Sequence, residues 1–129
     1  MISIYINPMP LYLKITSPKI WVAGDYTDSA TYDLEMKIYS DPQLTTAVDM
    51  TTFTTLTLRF IDPNSGGLYF STTQDLTSDA NGNVYWRPAN GRQIYSFGHL
   101  KLRLRCEVSG TEVTAVGING SDSLFIKYD

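Results

Sequence analysis

The chain has 129 residues, a formal net charge of −3, 43% hydrophobic and 18% charged residues, and one cysteine. That balance describes one globular domain, large enough to bury a core without metals or disulfides, and its charge gives no general reason to bind nucleic acid. No basic amphipathic stretch or run of transmembrane length occurs, so no membrane partner is expected. The opening Met1-Ile2-Ser3-Ile4-Tyr5-Ile6-Asn7-Pro8 lacks a basic n-region and a small-residue cleavage site, so it reads as cytoplasmically made rather than secreted.

In chain order, Ile2 to Ile6 alternate apolar and polar before Pro8 and Pro10 break the run. Leu11 to Ile15 and Ile20 to Val22 are further short β-like pieces, interrupted by Ser17-Pro18. Prolines this close together forbid a long central strand. Residues 1–23 therefore read as an edge strand or as an arm that docks on another subunit, with Ile2, Ile4, Tyr5, Ile6, Leu11 and Tyr12 as its contact residues. Residues 24–129 form the domain itself.

After a polar connection from Ala23 to Ser29, Thr31 to Tyr39 alternates cleanly. Tyr32, Leu34, Met36 and Ile38 face one way; Asp33, Glu35 and Lys37 face the other. Ser40-Asp41-Pro42 is a turn, and Val48, Met50 and Phe53 anchor the threonine-rich join that follows. Leu56 to Ile61 points Leu56, Leu58 and Phe60 inward, with Thr57 and Arg59 outward. Asp62-Pro63-Asn64-Ser65-Gly66-Gly67 is the strongest turn in the chain, and Leu68 to Ser71 returns from it.

Asn81-Gly82 fits a two-residue type I′ hairpin before Val84-Tyr85-Trp86. From His99 the longest alternation begins: Leu100, Leu102, Leu104 and Cys106 against Lys101, Arg103, Arg105 and Glu107. A 3.6 period would scatter those leucines around a helix. Ser109-Gly110 turns the chain into Glu112 to Val116, Asn119-Gly120 is another turn, and Ser123 to Tyr128 closes the domain. Lys101, Arg103 and Arg105 on one strand, and Asp33 and Glu35 on another, make a charged interface or a cross-strand face. Short strands with a turn every ten or so residues predict an all-β, antiparallel sandwich.

Chemistry finds little foothold. Cys106 falls on the apolar face, and His99 lies about 23 Å along the same strand at about 3.3 Å per residue, too far for a catalytic pair. Nucleotide-binding glycine loops and nucleophilic serine motifs are absent from the sequence. Asp33 and Glu35 sit at strand spacing rather than in a glycine-centred calcium loop. No catalytic, metal-binding or cofactor-binding residue is expected. Tyr85, Trp86 and Tyr95 are the residues that would stack on sugar rings if the domain recognised a glycan.

The order of motifs resembles an immunoglobulin-like domain recurrent in bacteriophage structural proteins, among them the N-terminal domain of baseplate upper proteins. Gly24-Asp25-Tyr26-Thr27 is similar to the family's opening segment, and Leu34 to Pro42 to the strand and acidic turn after it. Val48-Asp49-Met50-Thr51 and Leu58-Arg59-Phe60-Ile61-Asp62-Pro63 with Gly66 resemble its next two pieces. Thr77 to Trp86 is close to a Thr-Asp-x-x-x-Gly-x-Val-x-Tyr-x-Trp signature, and Gly98 to Val108 and Gly120 to Tyr128 echo its last strands. The likeness spans residues 24–128; residues 1–23 and the long join between Ser40 and Thr55 depart from it.

The resemblance implies an immunoglobulin-like sandwich and a non-catalytic virion component in a tail, baseplate or fibre attachment. Its partners would be other virion proteins and copies of itself. Capsid decoration by the same fold, or recognition of a host glycan, are the alternatives.

Overall fold

The computed structural model describes residues 10–22, 34–87 and 98–127. Among these, ten strands form: β1 (Leu11–Ile15), β2 (Ile20–Val22), β3 (Leu34–Tyr39), β4 (Thr55–Ile61), β5 (Leu68–Thr72), β6 (Leu76–Ser78), β7 (Asn83–Trp86), β8 (Gly98–Val108), β9 (Thr111–Val116) and β10 (Ser123–Lys127). The one helical piece among the described residues is a 3-10 turn at Met50–Thr52. Asp49 caps it, its carboxylate accepting the Thr51 N–H at 3.0 Å. The chain is all-β and sandwich-like, as its alternation predicts.

The strands run in the order β2-β10-β8-β9-β1-β3-β7-β6, with β4 on the other edge of β8 and β5 beyond β4. The sheet doubles over, so that β7 faces β4 and β5. Trp86 meets Phe60 edge-on at 5.5 Å and Phe70 at 5.9 Å, a geometry that matches the ring edges to the ring faces. β8 is the spine. Leu100, Leu102, Leu104 and Cys106 are all buried, and the leucines stabilise the fold by about 1.5–3 kcal/mol each through burial.

Seven ladders are antiparallel. Two are parallel, β1 with β9 and β2 with β10, so the sheet is mixed. Both parallel ladders place a strand from the N-terminal segment beside one from the C-terminal part of the chain. Parallel neighbours need long connections, and here most of the domain is the connection.

This placement corrects the arm reading at Leu11 and Tyr12. β1 is an interior strand, paired with β3 on one side and β9 on the other. Leu11, Leu13 and Ile15 are buried in the chain's own core, while Tyr12 is half-buried. The prolines do limit the strand, as expected, but they flank it: the five-residue strand lies between Pro10 and Pro18. Ile2, Ile4, Tyr5 and Ile6 lie outside the described residues.

Two turn details also differ from expectation. Gly82 has φ +88°, but Asn81 is not left-handed, so Asn81-Gly82 does not make a type I′ turn. The Asp79 carboxylate instead accepts the N–H groups of Asn81 at 2.8 Å and Asn83 at 3.0 Å, holding a wider loop between β6 and β7. The I′ signature occurs at Ser109-Gly110, where φ is +50° and +76° and Val108 pairs with Thr111. β6 carries one hydrophobic residue in three, too little alternation to register in the sequence.

Candidate functional site

Alternation along β4 and β8 sends Leu58, Phe60, Leu102 and Leu104 into the core. The intervening side chains must therefore stand on the outer face. The register sets Arg59 directly opposite Arg103, Ile61 opposite Lys101 and Thr57 opposite Arg105. Like charges directly opposed across a ladder are unfavourable, so each arginine needs an account.

Arg105 has one. Its Nε donates to the Glu112 carboxylate on β9 at 2.8 Å, and Glu107 lies 3.3 Å away. Glu107 and Glu112 are themselves register partners, so one guanidinium relieves the repulsion between two carboxylates. The hydrogen bond and charge of Glu112 raise the Arg105 pKa further above its ordinary value, with Glu107 adding to it.

Arg59, Lys101 and Arg103 are different. Among the described residues none of their side chains has an ion-pair or hydrogen-bond partner. Arg59 and Arg103 are half-buried and Lys101 is exposed. Together with Ile61, Pro63 and Gly66 they line a cleft of about 410 Å³. One wall is the sheet; the rim is the turn after β4, closed by the Asp62 N–H donating to Gly67 at 2.9 Å and the Gly66 N–H donating to Asp62 at 2.8 Å. The ionisable side chains of the lining are the two guanidinium groups and the Lys101 amine. A guanidinium stays protonated at any working pH, so the cleft can hold negative charge.

The cross-strand pairing expected between Glu35 and the β8 cations is not made. β9 and β1 stand between β8 and β3 in the sheet, which puts Glu35 out of reach. Glu35 pairs instead with Arg87 at 3.4 Å; Asp33 lies outside the described residues.

Within the aromatic set Trp86 takes the core place that strand alternation favours, which removes it as a glycan-stacking residue. Its side chain is 1% exposed and packed between the layers, so no sugar ring can stack on it. Tyr85 faces the other way from β7 and is half-buried, with the Arg87 guanidinium 5.0 Å from its ring centre. Tyr95 lies outside the described residues. Cys106 donates its thiol hydrogen to the Leu104 carbonyl at 3.7 Å, and burial pushes its pKa up to about 12. The thiolate a nucleophile needs is thereby suppressed.

Arg59 is the residue that sequence reading did not single out. Its outward direction follows from alternation, but its partner follows only from a ladder linking residues some forty positions apart. Comparison with protein-family models, curated proteins and solved structures gives no match for this chain.

Proposed function

We propose that the chain is a non-catalytic structural subunit of a bacteriophage virion, assembling with other virion proteins and with copies of itself in a tail, baseplate or fibre-attachment complex. The observation that carries this reading is that separate stretches of family likeness meet in space. Met50, from the Val48-Asp49-Met50-Thr51 piece, donates its N–H to Asp79 of the Thr77–Trp86 piece at 3.1 Å. Ile38, from the strand before the acidic turn, donates to Gly82 at 2.9 Å, and Val48 donates back to Ile38 at 3.0 Å. Phe60, from the Leu58–Pro63 piece, packs against Trp86 at the end of the Thr77–Trp86 piece.

Residues that meet this way constrain one another, which gives a physical reason for the motifs to occur as a set. The same contacts give them structural work: caps, turn closure and core. Glycan recognition loses its strongest residue, because Trp86 is interior.

The test is to locate the protein in purified particles by mass spectrometry and electron microscopy. Its presence at a fixed copy number in a symmetric ring or attachment supports the proposal. A monomer missing from particles overturns it.

A further inference from the structure

We propose that the cleft formed by Arg59, Lys101 and Arg103 is an oxyanion site that takes a single phosphate or sulfate group, either free or carried as an ester on a sugar. The inference stands on this chain's own geometry and does not depend on the virion reading.

The first ground is convergence. Arg59 and Arg103 are register partners on one face, and such partners hold their Cβ atoms about 4.5–5.5 Å apart. Two planar guanidinium forks rooted that close together can grip the same tetrahedral group, each through paired N–H donors. Lys101 lies two residues from Arg103 on the same strand face and adds a third positive charge at the cleft wall.

The second ground is the distribution of counter-charge. On this face two carboxylates converge on Arg105, the next outward residue of β8, while the three cations beside it have none among the described residues. The whole chain carries more acid than base, so acidic side chains are not scarce. Opposed, half-buried arginines without an acid are costly in the empty protein and favourable once a dianion sits between them.

The third ground is shape. The cations gather round one cleft instead of forming a track, so the ligand is compact. Extended single strands need a groove with stacking aromatics along it, whereas the apolar lining here is Ile61 and Pro63. At Gly66 an added Cβ would meet nothing within 4 Å, so the rim opens outward and leaves room for a carrier attached to the bound group.

The experiment titrates the full chain with inorganic phosphate, glucose 6-phosphate and a single-stranded oligodeoxynucleotide at matched ionic strength. Binding is followed by calorimetry and by amide chemical shifts. Saturable binding of either phosphate, with shifts centred on Ile61, Gly66 and Lys101, is the expected result. Tighter binding of glucose 6-phosphate assigns the ester as the source; equal binding assigns the free anion.

Arg59→Gln and Arg103→Gln should each weaken binding by about 10- to 100-fold, the loss expected of a charged hydrogen-bond donor. Each should also raise the melting temperature measured without phosphate, since it removes one of two opposed charges. Phosphate acting no differently from chloride, shifts centred elsewhere, or unchanged affinity in the double variant each overturn the proposal. So does an oligonucleotide whose affinity grows with length while the small phosphates stay silent. The native-protein shifts decide the matter even if a variant fails to fold.

Discussion

At the scale of single residues, packing and turn closure govern what this chain tolerates. Trp86→Ala should cost about 3–5 kcal/mol by denaturant unfolding, because it empties the space against Phe60 and Phe70 between the layers. Gly82 has φ +88°, and a Cβ there would meet the Ile38 carbonyl oxygen at 2.9 Å and the Ala47 Cβ at 3.1 Å. Gly82→Ala should therefore destabilise by about 1–3 kcal/mol; an unchanged midpoint would show that the loop relaxes freely. Asp79 is held below its ordinary value of 3.8, chiefly by the Asn83 side-chain amide and then the Asn83 N–H. Its stabilising effect is present above pH 3.8 and is lost as the pH falls through the lower folded value. Asp79→Asn should flatten the acid limb of a stability–pH curve in that region and leave the neutral limb with a similar slope. Cys106 acts at the other end of the scale. The unfolded thiol ionises near 9 while the folded one stays protonated to about 12, so stability should fall as pH rises through that interval. Cys106→Ala should make that slope shallower by the thiol's share, and thiol reagents at pH 8 should label the native protein only after denaturant is added.

At the scale of elements, the turn between β9 and β10 does more than reverse the chain. Ser121 donates its hydroxyl to the Leu13 carbonyl at 2.6 Å and accepts the Ile118 N–H on the same oxygen at 2.9 Å. Its carbonyl accepts the Ile15 N–H at 2.9 Å, which extends the bonding along β1 beyond the short ladder with β9. Ser121→Ala leaves a buried carbonyl and an amide to find new partners, and should cost about 1–3 kcal/mol by chemical denaturation. A cost near zero would mean water replaces the hydroxyl. The elements themselves were largely legible, since β8 announces itself through four alternating apolar residues and β4 through Leu56, Leu58 and Phe60. Pairing was not. Leu11-Tyr12-Leu13-Lys14-Ile15 reads the same as an arm, an edge or an interior strand, because alternation reports one buried face and not the neighbour on either side. For the same reason Glu35 could be imagined beside Arg103, and Arg59 could not be seen opposite it.

At the scale of the whole molecule, the N-terminal segment divides into parts with different meanings. Removing residues 1–19 deletes β1 and with it Leu11, Leu13 and Ile15 from the core. That truncation should lose cooperative unfolding and the near-ultraviolet signal of Trp86. Removing residues 1–9 spares every described strand, so it is the variant that isolates an assembly role. Under the proposed virion role, a folded protein that no longer joins the particle would support docking through Ile2, Ile4, Tyr5 and Ile6. Full incorporation would end the arm idea. The outer cleft was only partly legible for a similar reason: three of its features are a strand pairing, a register and a turn rim, and none is a local property of sequence.

The grip of Ser121 on β1 has a consequence for how the protein is made. β1 can meet β3 early in synthesis, but its other edge stays open until β9 has been translated, and is not fully bonded until the segment bearing Ser121 follows. At about 5–20 residues per second, the intervening hundred or so residues take about 5–20 s to add. For that interval Leu11, Leu13 and Ile15 belong to an unfinished sheet with one open edge, the condition in which nascent chains pair with the wrong neighbour. Ribosome-bound chains stalled with Ala115 still inside the exit tunnel should be cleaved readily at β1, and released full-length chains should resist. Synthesis rate and chaperone supply, rather than final stability, would then limit the yield of this fold.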